Sequence, residues 1–144
     1  MRFFFFDTPI TLADIEPGFR ELDSRYRVRV DEAAPNTADL MFGDDVYAQI
    51  EINSAGGELY QEDVEELVGI LNDGPDEDYA ARQYVVSLIG KAIGLVALHV
   101  TDFGNVYYDR IDPIWDWMFE RCNGLLQVDD EGYYDQQGTL LSLE

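Results

Sequence analysis

The pattern of apolar and polar residues predicts an alternation of short strands and amphipathic helices along the whole chain. The longest apolar stretch, residues 79–101, has helical spacing as far as Gly94. The seven residues that follow, 95–101, are mostly apolar and include three β-branched side chains, which is typical of a buried strand. We therefore predict a core helix that ends in a left-handed turn at Gly94 and leads into a core strand.

The N-terminal third predicts two strands separated by short helical pieces. Residues 1–6 are predicted to be a strand buried on both faces, and Thr11 with Asp14 forms a weak capping box that starts a helix. Pro17 and Gly18 are expected to interrupt that helix. Residues 25–30 alternate strictly, with three arginines on one face, which predicts a half-exposed strand whose arginines pair with nearby acids. Residues 31–38 are predicted to be a loop.

The middle of the chain predicts a hairpin followed by a helix. Residues 40–42 and 46–52 read as its two strands, and residues 60–72 form an amphipathic helix with an acidic outer side. Strand 46–52, two helices and strand 95–101 look like a crossover between neighbouring strands, which is the connection that joins parallel strands.

The C-terminal third predicts a helix and a strand-rich tail. A turn at 103–105 precedes a short strand at 106–108. Asp112 as N-cap and Pro113 as first helical residue begin a helix that runs to about Cys122. Strands are predicted at 125–128, 133–134 and 139–143. Cys122 completes the apolar side of this helix, so we expect it to be buried and unreactive.

These elements together predict one α+β domain covering residues 1–144. We expect a mainly antiparallel mixed sheet of about five to seven strands, with three main helices gathered on one face. The length of 144 residues is sufficient to bury a stable core without disulfides, and the chain has a single cysteine.

Charge changes this picture by excluding whole classes of partner. The chain carries 30 acids and nine bases, a formal charge of −21, and residues 31–144 hold all of that excess. Nucleic acid and anionic membranes are disfavoured, because both are bound through clustered Lys and Arg. Three explanations of the acidity stay open: solubility, a surface for a basic partner, and salt adaptation.

The candidate partner surface is formed by acids on the 60–72 helix and in the turn that follows it. A Trp on the polar side of the last helix, Trp117, is the candidate anchor, although packing under a loop or the tail is the alternative. The acids of this predicted surface are Glu62, Asp63, Glu65, Glu66, Asp76, Glu77 and Asp78.

The sequence also contains candidate residues for a weak cation site and for an enzyme site. The tail turn supplies Asp129, Asp130, Glu131 and Asp135 as candidate metal ligands, but the spacing fails the calcium-loop pattern of acids at alternate positions followed by Gly and a distal Glu. The one histidine, His99, lies within the predicted core strand, where a structural role is expected. No phosphate-binding loop or zinc motif occurs, so we predict no cofactor.

Residues 111–141, IDPIWDWMFERCNGLLQVDDEGYYDQQGTLL, resemble the C-terminal ends of small uncharacterised bacterial α+β proteins. In those proteins an aromatic-rich helix precedes a Gly-Leu-Leu-Gln-Val-Asp strand and an aromatic hairpin. In size and acidity the chain is also similar to immunity proteins of bacterial toxin systems, and that similarity implies an acidic face that neutralises a basic protein.

The sequence therefore predicts a non-enzymatic, cytoplasmic protein-interaction domain that inhibits or binds a basic protein. The alternative is a small hydrolase or ligand-binding domain that uses clustered carboxylates, with or without a divalent cation.

Overall fold

One eight-stranded antiparallel sheet forms the centre of the protein, as seen in a computed structural model that describes residues 1–101 and 111–143. The strand order is β2-β3-β4-β5-β1-β6-β7-β8. The strands are β1 (Arg2–Phe5), β2 (Tyr26–Asp31), β3 (Ala34–Phe42), β4 (Asp45–Ser54), β5 (Gly94–Val100), β6 (Gly124–Val128), β7 (Gly132–Asp135) and β8 (Gly138–Ser142).

Four α-helices pack on this sheet, two on each face. They are α1 (Leu12–Leu22), α2 (Glu58–Asn72), α3 (Tyr79–Lys91) and α4 (Ile111–Arg121), with a single 3-10 turn at Asp76–Asp78. Helices α1 and α4 share one apolar cluster with Phe3 and Phe5, while α2 and α3 share another with Phe4. We call these the first and second faces of the sheet.

The predicted α+β class is confirmed, but three details of the prediction were wrong. The described residues contain eight strands and four helices rather than five to seven strands and three helices, and all strand pairs are antiparallel. The helices do not gather on one face. The central strands β1, β5 and β6 carry apolar side chains on both sides, so both faces must be covered.

Two local predictions in the N-terminal third also need correction. The segment 31–38 is not a loop, because β2 and β3 form a hairpin there. Pro35 is tolerated because the pairing with β4 begins only at Thr37 and the pairing with β2 jumps from Ala38 to Ala34. Helix α1 continues through Pro17, since Ile15 and Phe19 are buried on its inner side.

Helix α4 begins at Ile111, so Asp112 lies in its first turn and is not the N-cap. An acid in the first turn still interacts favourably with the helix dipole. The predicted turn at 103–105 and strand at 106–108 lie outside the described residues.

The apolar stretch that follows α2 folds as the helix α3 and the strand β5, as predicted. Strands β4 and β5 are neighbours, as expected, but the predicted crossover is wrong. The two strands are antiparallel, because the α2–α3 hairpin returns the chain to the end of the sheet that it left. Gly94 does not form the left-handed turn. It starts β5 opposite Phe5, where an added Cβ would overlap the Phe5 ring.

A glycine at position 18 allows close packing between α1 and α4. A Cβ on Gly18 would overlap the indole of Trp117, whereas a Cβ on Gly69 of α2 would meet nothing within 4 Å. Both glycines lie inside helices, so the two sites are matched in helix propensity.

We therefore predict opposite effects of the same substitution at these positions. Gly18→Ala should lower the free energy of unfolding by about 1–3 kcal/mol through overpacking. Gly69→Ala should raise it by about 0.5–1 kcal/mol through helix propensity alone. Urea denaturation measures both, and a neutral or stabilising Gly18→Ala would contradict the tight helix contact.

Cys122 is buried directly after α4, and its thiol contacts the carbonyl oxygen of Met118. Burial, together with the negative charge of Asp7, raises the pKa of this thiol to about 11. At neutral pH the group is therefore protonated and a poor nucleophile.

We expect the native protein to react with a thiol-specific reagent at pH 8 far more slowly than the urea-unfolded protein, which supplies the matched control. Stoichiometric labelling of the native protein at the unfolded rate would show that Cys122 is accessible.

Candidate functional site

Helices α2 and α3 cover only part of the second face of the sheet. The apolar cluster beneath them contains residues of β1, β5, β6, β7 and β8, and among the described residues it contains none from β2, β3 or β4. On that uncovered side the second face presents polar groups, including Arg29, Asp39, Gln49 and Glu51. Arg29 and Asp39 form an ion pair at 2.6 Å, as the alternating arginines predicted.

Arg2 lies where the covered and uncovered parts meet, and it joins two acids from distant parts of the chain. Its Nε and Nη2 donate to both carboxylate oxygens of Asp63 on α2, at 3.3 and 3.2 Å. Its Nη1 donates to Gln127 Oε1 at 3.1 Å and to Asp129 Oδ1 at 3.4 Å. Two predicted sites, the α2 surface and the tail turn, therefore touch the same arginine.

Asp129 is held in its charged form by these neighbours. Burial alone would raise its pKa, but the hydrogen bond from Gln127 Nε2, at 2.7 Å, and the positive charges of the N-terminal amine and Arg2 outweigh burial. The pKa of Asp129 consequently lies below its ordinary value. This carboxylate is already engaged by groups of the protein itself.

The other acids of the tail hairpin are used separately. Glu131 accepts a hydrogen bond from the Tyr134 hydroxyl at 2.7 Å, and Asp135 accepts from the backbone N–H groups of Gln137 and Gly138. Asp130 is exposed. Among residues 1–101 and 111–143, no three His, Cys, Asp or Glu side chains come together in a way that could hold a metal ion.

The acids predicted on α2 fall into two groups. Glu62, Glu65 and Glu66 are exposed, and none of them forms an ion pair with a residue in the described part of the chain. Asp63 is only half-exposed, because it packs against Arg2. The exposed acids of this helix that form no ion pair within the described residues are therefore these three glutamates and Glu58 in its first turn.

The acids in the turn after α2 also fall into an exposed group and a paired group. Asp76 and Glu77 are exposed, whereas Asp78 accepts a hydrogen bond from Arg82 Nε at 2.6 Å. The Arg82 side chain is only 2% exposed, and its Nη atoms donate to the backbone carbonyls of Leu71 and Pro75. Arg82 therefore donates hydrogen bonds to backbone carbonyl groups at and after the C-terminal end of α2, and it links the acidic turn to α3.

Two exposed apolar side chains on α2 were missed by the sequence reasoning. Leu59 is 54% exposed and Ile70 is 57% exposed. Together with Asp63 and Glu66 they follow a 4-3-4 spacing, which places all four on one side of the helix. This periodicity is visible in the sequence, but it is hidden by the stronger apolar stripe on the buried side.

The prediction that Trp117 lies on the polar side of α4 is wrong, and the alternative of a packing role is the one that the structure shows. Trp117 is 8% exposed and packs edge-to-face against Phe19 of α1, with ring centroids 5.2 Å apart. The Arg121 guanidinium lies 5.1 Å from its ring centroid. Helix α1 covers the side of α4 that helical spacing alone assigns to solvent, so Trp117 is a core residue and not an available anchor.

Two depressions meet near the start of β1 and the ends of β5 and β6. A groove of about 220 Å³ lies on the second face and is bordered by Arg2, Gln49, Glu51 and His99. A larger cleft of about 770 Å³ lies on the first face, beside α4. His99, expected inside the core strand, is exposed and borders both depressions.

Comparison with known proteins does not assign this chain to a family. No protein-family model matches the sequence, and neither the curated proteins nor the solved structures contain a match. The function must therefore be argued from the geometry of the described residues. Within those residues, no helix has the length and apolar character needed to span a bilayer.

The lowered pKa of Asp129 makes a prediction about stability against pH. A carboxylate whose pKa is lower in the folded state contributes stability above its unfolded value of about 4, and that stability is lost as pH falls through the folded value. We expect Asp129→Asn to flatten the loss of unfolding free energy between roughly pH 5 and 2.

The neighbouring substitution Asp130→Asn is the control for this experiment, since Asp130 has no hydrogen bond to Arg2 or Gln127. It should keep the wild-type pH dependence. Equal slopes for the wild type and Asp129→Asn would mean that the Arg2 network does not hold the Asp129 charge.

Proposed function

We propose that this protein is a non-enzymatic interaction domain that binds a basic protein through the outer side of α2. The observation that carries the proposal is the combination of three exposed glutamates, Glu62, Glu65 and Glu66, with two exposed apolar side chains, Leu59 and Ile70. An inhibitor of a basic toxin-like protein, as the similarity to immunity proteins implies, is one form of this function.

The distribution of ion pairs supports this choice of surface. Much of the chain's small supply of positive charge is directed to acids other than the α2 glutamates. The arginines that pair with such acids are Arg2, Arg25, Arg29, Arg82 and Arg121. The α2 glutamates are left to meet cations from another molecule, and the exposed acids Asp76 and Glu77 extend the negative surface beyond the helix.

The two kinds of side chain would contribute differently to binding. Exposed charges raise the rate of encounter with an oppositely charged protein but add little affinity. Apolar side chains that become buried slow dissociation. Leu59 and Ile70 are eleven residues apart, which places them about 16 Å apart along one side of the helix. They replace Trp117 as the proposed anchors.

The test begins with capture of a binding protein at low salt from extracts of the source organism, followed by kinetics with the purified pair. The triple variant Glu62→Gln, Glu65→Gln, Glu66→Gln should slow association severalfold and leave dissociation nearly unchanged. Leu59→Ala with Ile70→Ala should mainly accelerate dissociation. Asp63 is kept, because it stabilises the fold through Arg2.

A matched control removes three exposed acids that lie outside α2: Glu32→Gln, Asp44→Asn and Glu120→Gln. The control changes the net charge by the same amount, so it separates a local surface from overall acidity. The proposal is wrong if no basic partner is recovered, or if both triple variants slow association equally. In either case solubility or salt adaptation is the better explanation of the acidity.

A further inference from the structure

The large cleft beside α4 is lined by apolar side chains of the central strands and by polar side chains at its border. Leu98 and Val100 of β5 and Leu126 and Val128 of β6 line it from the first face of the sheet, and Trp115 of α4 lines the opposite side. Its volume of about 770 Å³ lies in the range of small-molecule sites and far above the size of ordinary packing defects. The cleft is separate from α2, which lies on the second face.

The acidic side chains that border the cleft are Asp112, Asp129 and Glu131. The other polar lining comes from Met1, His99 and two tyrosines, Tyr47 and Tyr134. The amine of Met1 contacts Asp129 at 3.5 Å, and Arg2 also contacts Asp129, so the charge of that carboxylate is largely compensated within the protein. Asp112 and Glu131 are exposed and form no ion pair in the described part of the chain.

We propose that this cleft binds a small organic cation with an aromatic or aliphatic body. The apolar body lies against Val100, Leu126 and Trp115, and the positive group lies near Asp112 and Glu131. The cavity, which is lined by both apolar and acidic side chains, carries this proposal. The carboxylates at its border determine the charge of the ligand.

The probe is benzyltrimethylammonium, with benzenesulfonate as an anion of similar size and with the opposite charge. Titrations are followed by calorimetry and by the intrinsic fluorescence of the two tryptophans, Trp115 and Trp117. We expect saturable binding of one equivalent of the cation, with affinity at least about tenfold higher than for the sulfonate.

Three variants locate the site. Val100→Phe fills the cleft and should abolish binding, while Asp112→Asn with Glu131→Gln preserves its shape and should weaken binding of the cation by roughly tenfold. Glu65→Gln with Glu66→Gln is the control on α2 and should leave the affinity unchanged. Urea denaturation of each variant confirms that it is folded before it is titrated.

The proposal is overturned if the folded wild type shows no saturable binding at millimolar probe, or if it binds the sulfonate equally well. It is also overturned if Val100→Phe binds like the wild type, or if only the α2 variant weakens binding, because the cation then binds elsewhere. None of these outcomes bears on the proposed basic protein partner, whose proposed interface lies on α2.

Discussion

The burial of β1 on both faces is the constraint on which the rest of the structure depends. Phe3 and Phe5 project into the cluster beneath α1 and α4, while Phe4 projects into the cluster beneath α2 and α3, and all three are almost completely buried. Three phenylalanines in one central strand bury a large apolar area, so neither face can be left to solvent near the middle of the sheet. The helices accordingly divide into two layers.

This division also determines where functional surfaces can lie. The second face is covered only from β5 to β8, and α2 runs along the boundary with its outer acids exposed. On the first face, the sheet and α4 leave a cleft at one end of the central strands. Helix α2 and the cleft therefore lie on opposite faces of the same sheet, so a molecule bound at one would not block the other.

Local sequence patterns predicted most of the elements, but not what packs against each of their sides. The helix α2, the pair α3–β5 and the tail strands follow from spacing that is present in each segment. Trp117 was assigned to the polar side of α4 because that helix contacts two partners, the sheet and α1, and the second contact depends on Gly18, about a hundred residues away. The coverage of both faces was implied by the unbroken apolar run in β1, a signal that the three-helix prediction did not use.

At the candidate site, local sequence patterns likewise do not fully predict which acids are paired and which are free. Acids that look equivalent in sequence differ because two arginines pair with some of them. Arg82 pairs with Asp78, four positions before it, which spacing could have indicated. Arg2 pairs with Asp63, 61 positions away, which spacing could not. A network of hydrogen bonds leads from Asp63 on α2 through Arg2 to Asp129 at the border of the cleft. A change in charge at α2 that displaced Asp63 would alter the compensation of Asp129.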